Sequence, residues 1–241
     1  EDELDPLIKQ RVELDMNPAM IPDLDEIERH AAFLGAWFAF YLQDQKEKRK
    51  EIDHHVILGN EVIAALVDNV NILHLIQQGH IEPFRDDPHY WLRILPLPYN
   101  LEPNVEVNIQ NLSFLWQKGN ANLTSMVSKE KLNFKLTLKL INNRSEYHAD
   151  VVQPIFNSMG FHQGSKIEYK EIQENLGPKI LATMSGLTND MINAIDDTIK
   201  SHKVVISALY DEISRIYPGK KVLRIEYVEP QTNEPNKAER E

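Results

Sequence analysis

Residues 131–140, KLNFKLTLKL, carry an apolar side chain at every second position: Leu132, Phe134, Leu136, Leu138 and Leu140. Lys131, Asn133, Lys135, Thr137 and Lys139 stand between them. A period of two turns one set of side chains to a core and the other to water, so the pattern predicts a β-strand over 131–141. The alternating run VEVNI, 105–109, reads as a second strand. LSFLW, 112–116, continues it past a slip at Gln110–Asn111 that suits a bulge. QKGNAN supplies turn chemistry before the main strand. RVELDM, 11–16, alternates weakly as a short strand, and KVLRIEYV, 221–228, reads as a closing one.

Elsewhere the spacing is helical. Leu24, Ile27, Ala31, Leu34, Phe38 and Leu42 fall three or four apart, with Asp23 or Asp25 as a cap. Residues 33–42 fit a buried strand as well, and periodicity alone does not separate the two. Val62, Leu66, Val70, Leu73 and Ile76 form the stripe of a second helix that Gly79 stops. Five prolines mark 81–104 as a loop. YHADVVQPIFNSMG reads as a short helix interrupted by Pro154. The longest signal runs from about Thr183 to Tyr217. There Ile192, Ile195, Ile199, His202, Ile206, Leu209, Ile213 and Ile216 alternate spacings of three and four until Pro218–Gly219 ends the helix.

These elements predict an α+β fold: a helical N-terminal part, a small antiparallel sheet in the middle, and a long C-terminal helix followed by a short strand. Residues 1–22 form an acidic arm, 23–228 a single α+β domain that could divide near 142–165, and 229–241 a disordered tail.

Charge narrows the function classes. The chain has 241 residues and a net charge of −11. That disfavours broad nucleic-acid or membrane-surface binding, which needs a basic face. Nucleic acid and membrane are therefore not expected as partners. With no cysteine, disulfides, thiolate nucleophiles and cysteine metal sites are excluded, and a cytoplasmic setting is expected. The densest apolar run, AAFLGAWFAFYL at 31–42, has 12 residues, against about 20 for a membrane span. No signal peptide is visible. Its aromatic residues Trp37, Phe38, Phe40 and Tyr41 are expected to pack in a core rather than stack on bases.

No catalytic constellation stands out. Glu51 and His54 are the single Glu-x-x-His, where a di-iron bundle needs two. His148-Ala149-Asp150 lacks further ligands, and the glycines form no phosphate loop. No cofactor and no metal are expected. Arg144 and His148 invite comparison with the HEPN helical ribonucleases, whose motif is an Arg, four to six residues, then a His. In that resemblance the Arg steadies a phosphate and the His moves a proton. The gap here is three residues, and the preceding segment reads as a strand where those domains have a helix.

Partner signals are stronger. The stripe Ile192, Ile195, Ile199, Ile206, Leu209 and Ile213 fits a coiled-coil seam, as well as the face of a helix packed on its own domain. Residues 117–141 hold five lysines and one glutamate, net +4, while the first 30 residues hold ten acids and three bases, net −7. A strand bearing Lys131, Lys135 and Lys139 could thus dock head to tail on the acidic arm of another copy or add to a neighbouring sheet, while its lysines could equally guard the strand against stray pairing. A homo-oligomer is expected.

Taken in order, the segments resemble the cap or tail-terminator proteins of contractile, phage-tail-like injection systems. The carriers are Arg11-Val12-Glu13 with Asn17-Pro18, the segment 36–42, a helix opening at Ile57-Leu58-Gly59, a stretch ending at Trp116, and the strand 131–141. The resemblance covers roughly 10–141. It implies a ring on the end of a tube and sheath, with sheath-like or tube-like partners and no catalysis. The expected function is a non-enzymatic structural or assembly protein, with the HEPN-like ribonuclease as the alternative.

Overall fold

Residues 131–140 are helical. They lie within α4, Ala121–Tyr147, in a computed structural model that describes residues 24–97, 106–160 and 168–226. The other helices are α1 (Leu24–Ile76), α2 (Tyr90–Arg93), α3 (Ser113–Gln117), α5 (Gln153–Ser158) and α6 (Tyr169–Ile216). The described residues are 85% helical and include no strand, so the α+β expectation gives way to an all-α fold.

The cause of that error is visible in α4. Its buried side comprises Leu123, Thr124, Val127, Glu130, Phe134, Thr137, Leu138, Ile141, Arg144 and Ser145. This is a regular helical stripe, but half of it is polar, so counting apolar residues does not reveal it. Leu132 and Leu136 are 56% and 51% exposed. These two solvent-facing leucines, interleaved with buried Phe134 and Leu138, made the period of two. The start is ordinary helix chemistry: the Asn120 side chain accepts the Leu123 amide at 3.2 Å, satisfying one of the free first-turn donors.

The other strands fail for local reasons. Asn108 accepts the Gln110 amide at 3.1 Å and opens a 3-10 turn, Ile109–Leu112, that runs into α3. Residues 221–226 have no regular secondary structure. They are held by Asn60, which donates to the Lys221 carbonyl (3.2 Å) and accepts from the Leu223 amide (2.8 Å). Residues 11–16, 227–228, the acidic arm 1–22 and the tail 229–241 lie outside the described residues.

The chain divides into two units, Glu1–Ile52 and Asp53–Glu241. In the first unit residues 24–52 are helical, which settles 33–42 as helix. The charge run KEKRKE belongs to that helix too, rather than to a break between two helices.

In the second unit the expected stripe of Val62, Leu66, Val70, Leu73 and Ile76 is buried. Gly79 does not stop the backbone. The helix widens into a π-turn, Gln77–Ile81, then tightens into a 3-10 turn, Glu82–Phe84, with Pro83 in its first turn. Asp196 of α6 anchors this corner through two bonds from Arg85, 2.9 and 3.0 Å, and one from Gln77, 2.7 Å. A second π-turn, His148–Val152, leads into α5, where Pro154 sits in the first turn and its missing N–H costs nothing. α6 begins earlier than its sequence pattern suggests and breaks once, at Gly177 (φ 69°, ψ 162°) before Pro178. Positive φ suits glycine there, and proline can start the next helical segment.

Candidate functional site

The polar half of the α4 stripe meets a matching polar set on α6. Near one end, Glu130 Oε2 lies 2.8 Å from His202 Nδ1 and accepts the Ser201 hydroxyl at 2.6 Å. Asn133 donates to the other Glu130 oxygen at 3.3 Å. His202 Nδ1 is also 3.0 Å from the Thr198 carbonyl, so both neighbours of Nδ1 are acceptors and the hydrogen belongs there. One turn on, the Thr137 and Thr198 hydroxyls pair at 2.8 Å. Burial pushes the Glu130 carboxyl up, but hydrogen bonds from His202, Ser201 and Asn133 outweigh it and hold the carboxyl below its usual range.

At the other end stands Arg144, only 1% exposed. Its Nη2 donates to the Trp91 carbonyl at 3.2 Å and to the Ile94 carbonyl. Its Nε reaches the Thr188 hydroxyl at 3.4 Å. The guanidinium thus satisfies carbonyls at the C-terminal end of α2, where helix geometry leaves them without amides. Ser145 accepts the Leu97 amide at 3.1 Å, fixing the same segment. Burial lowers the Arg144 pKa to about 10. His148, one turn further and 6% exposed, is pushed down to about 4 by burial and then by the Arg144 charge. It is neutral at pH 7, and its Nδ1 has no hydrogen-bond partner.

This arrangement binds α4 to α6 and to α2 with the segment after it. A nucleophilic serine needs its hydroxyl on an effective base, and Ser201 donates to Glu130, a carboxylate whose lowered pKa makes it a weak one. The His202 Nε2 is buried without a partner. A groove of about 300 Å³ lies beside the network, lined by residues including Leu136, Thr137, Leu140, Asp197 and Ser201. Among the described residues no three His, Asp or Glu side chains converge as a metal site would require.

The residues singled out in the sequence divide accordingly. Arg144 and His148 do share one helical face. Ile192, Ile195, Ile199, Ile206, Leu209 and Ile213 are all buried inside their own unit. Lys131 pairs with Glu106 at 2.7 Å, Lys135 lies 3.9 Å from the same carboxylate, and Lys139 is exposed. They lie on a helix, four apart, not on a strand. Glu51 and His54, the Glu-x-x-His pair, are exposed, while half-buried His55 meets the Tyr217 hydroxyl at 2.8 Å and stacks on Phe114. Trp37, Phe38, Phe40 and Tyr41, expected in a core, are exposed. Glu130, Thr188 and Ser201 were missed. The available signal was His202, the one polar member of an otherwise apolar stripe.

No protein-family model, no curated protein and no solved structure matches the chain. One helical stretch, Glu28–Phe84, is long and apolar enough to cross a membrane by length and composition, with a window of mean hydropathy 1.5 that is half buried.

Proposed function

We propose that the chain is a non-enzymatic assembly protein that self-associates through the solvent face of α4. The observation that carries this reading is the pairing of exposed Leu132 and Leu136 with Lys131, Lys135 and Lys139 along one helix. Leu136 lines the groove that α4 shares with α6, Leu132 stands one helical turn before it, and the lysines give the surface a sign. The complementary charge in the same chain belongs to its first 30 residues, net −7. A second copy therefore supplies the occupant. The groups suited to acid–base work, Glu130, His148 and His202, are buried and serve the interior. A cytoplasmic setting accords with a chain free of cysteine.

The narrower reading, a cap on a contractile tail-like particle, rests on segment order alone. The strand that completes that order is α4, and Ile57-Leu58-Gly59 lies in the middle of α1 rather than opening a helix. The assembly reading stands without it. The ribonuclease alternative gains one observation, because Arg144 and His148 do sit on a helix. Its weakness is access: both are buried, and the Arg144 donors are engaged by protein carbonyls.

Solution mass against salt tests the proposal. From about 0.05 to about 0.5 M salt, screening shortens the reach of exposed charges, and the oligomer is expected to dissociate. A mass indifferent to salt would remove the lysines from the interface.

A further inference from the structure

The first unit holds a surface that the assembly reading does not use. Residues 31–42, twelve in succession, are alanine, glycine or a large apolar residue. Phe33, Leu34, Trp37, Phe38, Phe40, Tyr41 and Leu42 are between 48% and 73% exposed. At about 3.6 residues per turn they pass more than three times round the helix, so every face is apolar. This distinguishes the possible occupants. A protein groove or a second helix covers a stripe and leaves the opposite face polar, whereas a helix apolar all round is surrounded on all sides, as hydrocarbon does.

The flanks carry the second indication. Lys46, Lys48, Arg49 and Lys50 follow within two turns, with one glutamate among them. Asp44, the acid nearest the apolar run on that side, is paired to Lys48 at 2.6 Å. Trp37 and Tyr41 stack at 5.9 Å, one turn apart and close to this basic flank, and such rings favour the level of lipid headgroups. We propose that residues 31–42 insert into a lipid bilayer, with Lys46, Lys48, Arg49 and Lys50 against anionic headgroups.

Length is compatible. Twelve residues rise about 18 Å, and the backbone from Arg29 to Lys46 about 26 Å, at 1.5 Å per residue. Cationic side chains at both ends extend outward, and a bilayer thins to meet a short apolar helix. The expectation of no membrane partner rested on the whole-chain charge and on an uninterrupted span of about 20 residues. Neither criterion registers a local basic collar.

The test is flotation of the full chain with phosphatidylcholine vesicles, with and without phosphatidylglycerol, alongside the Trp37→Phe variant in fluorescence. Wild type is expected to float with the anionic vesicles and to stay bound through a wash at about 0.5 M salt. A blue-shifted emission should be present in wild type and absent in Trp37→Phe. The pair Phe33→Asp with Phe40→Asp should lower the bound fraction about tenfold and leave the thermal melt of the second unit unchanged. Lys48→Glu with Arg49→Glu should weaken binding to anionic vesicles only. Failure of wild type to float, or flotation unaffected by the Asp pair, would overturn the proposal. So would a fall in solution mass in the Asp pair without vesicle binding by wild type, which would assign the segment to a second copy of the chain.

Discussion

Gly59 of α1 and Ile213 of α6 meet with no room for a methyl group between them. A Cβ on residue 59 would lie 2.5 Å from Ile213 Cδ1, with Phe114 Cζ behind at 3.6 Å. Alanine at 59 gains about 1 kcal/mol of helix propensity but meets a fully buried side chain, and overpacking costs about 1–3 kcal/mol. Gly59→Ala is therefore expected to destabilise the fold by about 1 kcal/mol. Ile213→Val removes the offending Cδ1. In that background Gly59→Ala should become neutral or stabilising. A double-mutant cycle by chemical denaturation measures the coupling, and additive effects would show that the helices are further apart.

His148 makes stability depend on pH. An unfolded histidine titrates near 6.5, and in the fold burial and Arg144 push His148 down to about 4. Between these values the unfolded state binds the extra proton, so stability falls as pH drops through that window and is complete above it. A gap of about 2.5 units corresponds to about 3 kcal/mol. Glu130 adds to the acid side. Its depressed carboxyl contributes stability above the ordinary carboxylate range, lost as pH falls through the folded value. Thermal melts from pH 7 to pH 4 should steepen with acid, and His148→Gln should flatten the upper part of that curve. An unchanged curve in His148→Gln would place the histidine in water.

Arg144 closes the C-terminal end of α2 from inside the core. Replacing it by alanine leaves the Trp91 and Ile94 carbonyls without donors and opens a large cavity. The expected loss is about 3–5 kcal/mol, with amide exchange accelerated first over 90–97. Lysine should recover little, since one ammonium does not reproduce the guanidinium fork. If Arg144→Ala melted like wild type while abolishing cleavage of RNA by the protein, the residue would be catalytic instead.

How much of this was legible depended on whether burial and apolarity coincided. They do for Val62, Leu66, Val70, Leu73 and Ile76 and for the isoleucines of α6, so both helices could be read directly. The same isoleucines did not reveal whether their partner was another copy or the chain itself, because a seam and a core face share one spacing. In α4 the two properties part: Glu130, Thr137, Arg144 and Ser145 are buried while Leu132 and Leu136 are exposed. A stripe whose polar members satisfy one another across two helices carries no hydrophobic signal. That segment produced the main strand of the expected sheet. The aromatic run at 31–42 was legible as apolar, but nothing in its pattern told core from outer surface.

The self-association claim rests on Leu132 and Leu136, and one measurement addresses it directly. Both are half exposed on α4, so aspartate at these positions should cost the monomer little, surface substitutions usually staying within about 0.5 kcal/mol. Light scattering coupled to size exclusion, in a mild detergent that covers residues 31–42, compares wild type with the Leu132→Asp, Leu136→Asp double variant. Wild type is expected as an oligomer and the variant as a monomer with an unchanged melt. A monomeric wild type, or a variant that keeps the oligomeric mass, would contradict assembly through this face.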